Sequence, residues 1–195
     1  MIQINPHTKP ANRNDAYAIV RGLVEQSPES TDLQSLMLYF APKAGGKVNT
    51  AEQWVSTFAA TKDIRDYLNY VYSDGTRLVA TNGHILAWIP TSLPKGYYHA
   101  KTFDRVPDMD DIRYPDVSRV IPEIKGEYIP MPEVETKVSD CGRYHYQTFG
   151  EAHFDAKYLA IIAKGGNPEV LLASPNDAMR GKTDMGEFVI MPKRV

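Results

Sequence analysis

The side chains best able to do chemistry are thinly spread. The five histidines, His7, His84, His99, His145 and His153, never combine into an HxH or HExxH pair, so no spacing sets two imidazoles on one metal ion. Asp104, Asp108, Asp110 and Asp111 form an acidic run. Carboxylates can hold Mg²⁺ or Ca²⁺, but the ligand spacing of an EF-hand loop is absent, and the run reads as a solvated loop. Gly45-Gly46-Lys47 lacks the upstream Gly and the following Ser or Thr of a phosphate loop. There is no GxSxG elbow, and the single Cys141 has no histidine in a local signature. One thiol excludes an internal disulfide and fits a reducing compartment. The sequence thus predicts a protein that is not an enzyme and needs no cofactor.

Three segments are better suited to binding. Residues 187–195 read EFVIMPKRV. Met191 offers a deformable apolar contact beside Pro192, which has no N–H to donate. Residues 113–122 read RYPDVSRVIP. Tyr114-Pro115-Asp116 should make a rigid turn, leaving Arg119 to meet a carboxylate and Val120 and Ile121 to pack. Residues 67–90 read YLNYVYSDGTRLVATNGHILAWIP. Asp74-Gly75 and Asn82-Gly83 separate three β-rich runs, 67–73, 76–81 and 84–89. Such dipeptides favour two-residue type I′ turns, so the spacing predicts a three-stranded antiparallel meander. Each segment also has a plainer reading, as a closing strand, a proline-bounded connector and a core meander.

The elements that would carry these segments follow from periodicity. Apolar residues at 16, 19, 20, 23 and 24 predict a helix capped by Asn14 and ended by Ser27-Pro28. Leu33, Leu36, Met37 and Phe40 predict a second, with Ser30 or Thr31 as cap. Thr50-Ala51-Glu52-Gln53 matches a capping box before Trp54, Val55 and Phe58. Pro90, Pro94, Pro107, Pro115, Pro122, Pro130 and Pro132 mark residues 90–133 as a long excursion with short extended pieces such as 97–99. Strands at 136–139 and 143–148 flank Asp140-Cys141-Gly142. Asp155 can cap a helix carrying Tyr158, Leu159, Ile161 and Ile162, ended by Gly165-Gly166. Final strands are expected at 170–173 and 187–191, with a polar loop between. Helix then strands, at 51–90 and again at 154–191, suggests an α+β domain of two similar halves.

The 195 residues allow one domain or two small ones. An apolar share of 43% and a charged share of 24% suit a globular core. A net charge of −2 gives no overall attraction to nucleic acid, so DNA contact would need a local basic stripe. No apolar run nears the roughly 20 residues of a membrane span, and the polar start lacks a signal-peptide core. A soluble cytoplasmic protein is expected.

Four segments resemble, in order, those of the β sliding clamp of bacterial DNA polymerase III, the replicative processivity factor. Val79-Ala80-Thr81-Asn82-Gly83-His84-Ile85-Leu86-Ala87 is similar to V-A-T-D-G-H-R-L-A. Tyr114 to Pro122 is similar to F-P-D-Y-R-R-V-L-P, and Phe154-Asp155-Ala156-Lys157-Tyr158-Leu159 to F-N-x-x-Y-L. Val189-Ile190-Met191-Pro192-Lys193-Arg194-Val195 is similar to V-V-M-P-M-R-L. Asp63 to Asn69 also resembles the family's approach to the first of these. The likeness covers residue 50 onward. It implies a clamp-like domain over 51–195, helices packed on antiparallel sheets, after an N-terminal arm and helical extension over 1–50.

The resemblance also implies partners. In the family these segments build a pocket for short peptides of polymerases and clamp loaders. Carried over, that pocket takes Thr81, Gly83, His84 and Leu86 from the first segment. The second would give Pro115, Arg119 and Val120, and the third Met191, Pro192 and Arg194. Family helices line a hole around duplex DNA. The corresponding cations here would be Lys62, Arg65, Lys157 and Lys164. The chain departs from the family at Asn82, where Asp stands, at Ile85, where Arg stands, and at Lys193, where Met stands. The leading expectation is a clamp-like replication accessory, phage-like in its shortness, that associates with DNA as a homo-oligomer and docks replication-protein peptides. A monomeric clamp-fold adaptor or decoy that never encircles DNA is the alternative. A metal-assisted enzyme using the acidic loop 104–111 is a third reading.

Overall fold

In the computed structural model the chain divides into two compact units, residues 1–47 and 48–195. The structure describes residues 13–27, 30, 32–33, 36, 48–123, 126–133, 135–139, 145–171 and 176–193. In the first unit Arg13–Gln26 form helix α1, with Ala16 and Val20 buried. Asn14 lies inside this helix and not at its cap. The Ser27 N–H bonds to the Leu23 carbonyl at 3.0 Å and closes the last turn. Ser30 Oγ accepts the Leu33 N–H at 3.4 Å. The arm at 1–12, and Met37 and Phe40 of the second expected helix, lie outside the described residues.

The second unit begins with α2 (Ala51–Ser56), followed by strands β1 (Tyr70–Ser73), β2 (Arg77–Thr81), β3 (Ile85–Pro90) and β4 (Gly96–His99). After the excursion come β5 (Ile129–Pro130), β6 (Lys137–Val138), β7 (His145–Phe149) and β8 (Ala152–Asp155). Helix α3 (Ala156–Ala163) and strands β9 (Glu169–Leu171), β10 (Met179–Lys182) and β11 (Glu187–Ile190) complete it. Eight strands form one antiparallel sheet in the order β4-β1-β2-β3-β11-β10-β9-β5, and β6-β7-β8 form a second. The large sheet is two four-stranded halves joined through β3 and β11, with Ile85 opposite Ile190 and Trp88 opposite Glu187. Each half is a three-strand meander plus one outer strand, which is the physical content of the sequence echo.

The meander forms, but its turns differ from the expected type. Gly75 and Gly83 have φ of +95° and +87°, while Asp74 and Asn82 do not have positive φ. The Asp74 N–H bonds to the Arg77 carbonyl at 3.1 Å, and the Asn82 N–H to the Ile85 carbonyl at 3.3 Å. Glycine is therefore the first central residue of each turn, one position later than a type I′ reading places it, as type II′ geometry requires. The reason lies in the side chains. Asp74 Oδ1 accepts the Thr76 and Arg77 N–H groups at 2.8 and 2.7 Å, and Asn82 Oδ1 accepts those of His84 and Ile85 at 2.9 and 3.1 Å. Each caps the turn from outside it. Tyr67 to Asn69, expected in the first strand, belong to a 3₁₀ turn over Asp66–Asn69.

Strand alternation gives the large sheet two covered faces. Val71, Leu78, Ala80, Ile85, Ala87, Ile89, Phe188 and Ile190 point to one core, against Trp54, Val55 and Phe58 from α2 and its C-terminal turn, and Leu159 and Ile162 of α3. A six-residue helix is too short to persist alone. Here each large side chain fully buried adds about 1.5–3 kcal/mol, and Trp54, Val55 and Phe58 are all 0% exposed. The Trp54 indole also donates to the Ile162 carbonyl at 3.3 Å, tying α2 to α3. The cap half of the α2 capping box forms: Thr50 Oγ1 accepts the Gln53 N–H at 3.2 Å, while Gln53 Oε1 accepts the N–H of Asn49, one residue before the cap, at 3.0 Å. Asp155 caps α3 through the Lys157 N–H at 3.1 Å.

Val79, Leu86, Trp88 and Val189 point to the other face, where Met109, Tyr114, Val106, Val117 and Ile121 cover them. The proline-rich excursion is thus the lid of a second core. Both outer edges of the large sheet are blunted. On β4 the His99 N–H bonds to the Asp104 carbonyl at 2.9 Å and the Val106 N–H to the Tyr97 carbonyl at 2.8 Å, so residues 104–106 occupy that edge. At the other edge β5 is two residues long and includes Pro130, an edge that recruits strands poorly. The expected polar loop near the C-terminal end contains β10, and β8 precedes α3; neither was anticipated. The expected turn at Asp140-Cys141-Gly142 lies outside the described residues, although Lys137 and Val138 pair with Tyr146 and His145 as a hairpin there requires.

Candidate functional site, an apolar cavity at the β2–β3 turn

Three separate stretches of chain converge beside the Asn82-Gly83 turn. The first is the turn itself, whose ends are fixed by Thr81 Oγ1, which donates to the Ile85 carbonyl at 2.6 Å and accepts the Gly83 N–H at 3.0 Å. The second is the 3₁₀ turn Val117–Val120. Asp116 caps it, accepting the Ser118 N–H at 3.1 Å and hydroxyl at 2.6 Å. Those bonds, chiefly the one from the Ser118 hydroxyl, lower the Asp116 pKa. The third is the end of β11, where the Met191 N–H extends the ladder to the His84 carbonyl at 2.9 Å.

Between them lies a cavity of about 220 Å³ with mostly apolar walls. Thr81, Gly83, His84 and Leu86 line it from the first stretch, Pro115 and Val120 from the second, and Met191 from the third. Seven of the ten residues carried over by resemblance therefore share one wall. Arg119 is exposed and does not line the cavity; nor does Pro192. Arg194 lies outside the described residues. The geometry adds Tyr67, Leu68, Val117 and Val189 to the wall. Val120 and Met191, which both line the cavity, are 52% and 44% exposed.

The family departures have structural consequences. Asn82 performs the turn-capping a carboxylate would. Ile85 is 1% exposed and joins both the helix-side core and the cavity wall. Lys193 does not line the cavity; its ammonium sits 2.9 Å from Asp155 Oδ2, and its N–H bonds to the His153 carbonyl at 2.7 Å. His84 instead stacks on Tyr158 of α3, with ring centroids 5.7 Å apart.

Arg65, considered for DNA, belongs to this cavity. Its Nε and Nη2 donate to Asp63 at 3.0 and 3.1 Å, and its guanidinium lies where a Cβ on Gly83 would be 3.2 Å from Nη2. That pairing, with the Arg65 N–H, holds the Asp63 carboxyl down at about 2. The other three cations are exposed. Lys62 occupies a turn position with φ of +60°. Lys157 stands 3.7 Å from Asp155 and 4.5 Å over the Tyr158 ring, and Lys164 is the C-cap of α3. In the acidic loop Asp110 is paired with Arg105 at 2.8 Å. Among the described residues no group of three or more His, Cys, Asp or Glu is placed to hold a metal ion, and no helix is long and apolar enough to cross a membrane.

Two antiparallel sheets with short helices packed on the meander side define a sliding-clamp-like fold. Among solved structures the chain is similar to a DnaN sliding clamp, DNA polymerase III subunit beta, from Bartonella birtlesii bound to griselimycin. That match has 17% identity and a TM-score of 0.53 over 74% of this chain and 63% of that one. It is also similar to sliding clamps from Caulobacter crescentus, with 19% identity, coverage of 75% and 65% and a TM-score of 0.49, and Pseudomonas aeruginosa, with 16%, 74% and 64%, and 0.49. The fold assignment rests on the first. The chain spans slightly under two thirds of the length of these clamps. No protein-family model matches it, and no curated protein does.

Proposed function

We propose that this chain is a non-enzymatic, clamp-like accessory of DNA replication, with a clamp-like domain over 51–195, that docks short peptides of replication proteins such as a polymerase or a clamp loader. One observation carries the reading: segments up to 110 residues apart in sequence, at 81–86, 115–120 and 189–191, wall a single apolar cavity. About 220 Å³ is below the roughly 300–1,000 Å³ typical of drug-sized sites. It suits one or two apolar side chains of a longer peptide. Fluorescence anisotropy with a labelled polymerase-derived clamp-binding peptide tests this. Met191→Ala and Val120→Asp should each weaken binding by about tenfold, the loss expected when an apolar anchor site is truncated or charged. Identical titrations for wild type and both variants would remove the site.

Association with DNA as a ring would require copies joined head to tail through sheet edges. The blunted β4 and β5 edges favour the second reading, a monomeric adaptor that binds a replication protein without encircling DNA. Light scattering after size exclusion separates them. A monomer at micromolar concentration, unchanged by circular DNA, supports the adaptor. Retention on closed circles, lost on linearisation, supports the ring and a role for Lys62, Lys157 and Lys164.

A further inference from the structure

A second cavity, of about 400 Å³, opens between the start of β4 and residues 105–114, and its wall is more polar than that of the first. We propose that it binds the phosphate of a nucleotide, either free or within a single strand. Lys95, Arg105 and Arg113 line it against one carboxylate, Asp110. Among the lining side chains cations outnumber carboxylates three to one, within a loop that also carries Asp104, Asp108, Asp111 and Asp116 outside the lining. Arg105 spends its charge on Asp110, donating at 3.1 and 2.8 Å. Lys95 and Arg113 make no salt bridge with a described residue, although Arg113 lies near enough to Asp116 to help lower its pKa.

Gly96 has φ of +148°, and a Cβ there would lie 2.9 Å from Arg105 Nε. A side chain at position 96 would push the guanidinium aside; as it lies, Nη2 also reaches the Lys95 carbonyl at 3.4 Å. Tyr97 donates to the Ile112 carbonyl at 2.9 Å and so fixes the backbone beside Arg113. Tyr72 and Tyr114, stacked at 4.4 Å and 6°, complete an aromatic wall. Cations beside aromatic rings are the combination by which proteins take up phosphate and base together. This site shares no residue with the apolar cavity and does not depend on the peptide reading.

The full chain is titrated with a mononucleotide by calorimetry and with a labelled short oligothymidylate by anisotropy, each at low and moderate salt. Saturable binding of either supports the site, and whichever binds names the source. Lys95→Glu with Arg113→Glu should weaken it by at least about tenfold at low salt, and flatten its salt dependence. Both side chains are exposed, so a wild-type circular dichroism melt is expected. Lys101→Glu with Lys137→Glu, both exposed and lining neither cavity, should leave it unchanged. The proposal is overturned by no saturable binding, by unchanged affinity in the Lys95/Arg113 variant, or by an oligoglutamate peptide that binds as tightly.

Discussion

Replacing Gly83 by alanine, with Gly75→Ala as its partner, separates the fold of the meander from the shape of the apolar cavity. Both glycines sit first in their turns at nearly the same φ, +87° and +95°. An L-residue there costs about 1–3 kcal/mol in backbone strain. The surroundings differ. A Cβ at position 75 meets nothing within 4 Å, whereas at 83 it lies 3.2 Å from Arg65 Nη2. Arg65 is half exposed, and its solvent-open pair with Asp63 can yield at little cost to stability. The two variants should therefore lose the same stability within about 0.5 kcal/mol, measured by urea unfolding. Peptide binding should not track stability. Gly75→Ala should bind as wild type does. Gly83→Ala should bind several-fold more weakly, because the displaced guanidinium narrows the wall between Arg65 and His84. Equal weakening in both variants, or none in Gly83→Ala, would refute the assignment of this turn to the site.

Other outcomes follow from single side chains. Arg119→Ala should leave peptide affinity within about twofold of wild type, since the side chain is exposed and off the wall; a tenfold loss by anisotropy would restore it to the site. Tyr114→Phe removes a buried hydroxyl with no hydrogen-bond partner among the described residues, and should stabilise the protein by about 1 kcal/mol in urea unfolding. For Asp74, burial raises the pKa, but hydrogen bonds from Thr76 and Arg77 outweigh it and bring it to about 2. A depressed carboxyl pKa stabilises above its unfolded value of about 3.9. Stability should therefore fall as pH drops from 4 toward 2, less steeply in Asp74→Asn, as measured by melting temperature against pH.

Local chemistry made the meander, the Thr50 cap of α2 and the Asp155 cap readable from sequence. Each depends on residues within a few positions of one another. The turn type was misread because Asp-Gly and Asn-Gly have two uses, as the centre of a turn or as a cap followed by its first central residue. β10 was not legible, since Met-Arg-Gly-Lys has no β signature. What holds it is cross-strand: Arg180 pairs with Glu187 and Lys182 with Glu169, each at 2.7 Å, while Phe188 packs over Gly181. The excursion read as loose because its apolar residues, Met109, Tyr114 and Val117, have no period; the second face of the sheet spaces them. The cavity was legible only through family resemblance. Position alone placed Arg119 and Pro192 with the others, and did not show Arg65 turning inward or Lys193 pairing away.

The central claim is that the segments at 81–86, 115–120 and 189–191 act as one docking site. A two-dimensional amide NMR titration with a polymerase-derived clamp-binding peptide tests it most directly. The account predicts that Gly83, His84, Val117, Val120 and Met191 shift together along one saturable curve, while residues of β9 and β10 stay still. Shifts confined to another surface, or none at saturating peptide, would contradict it.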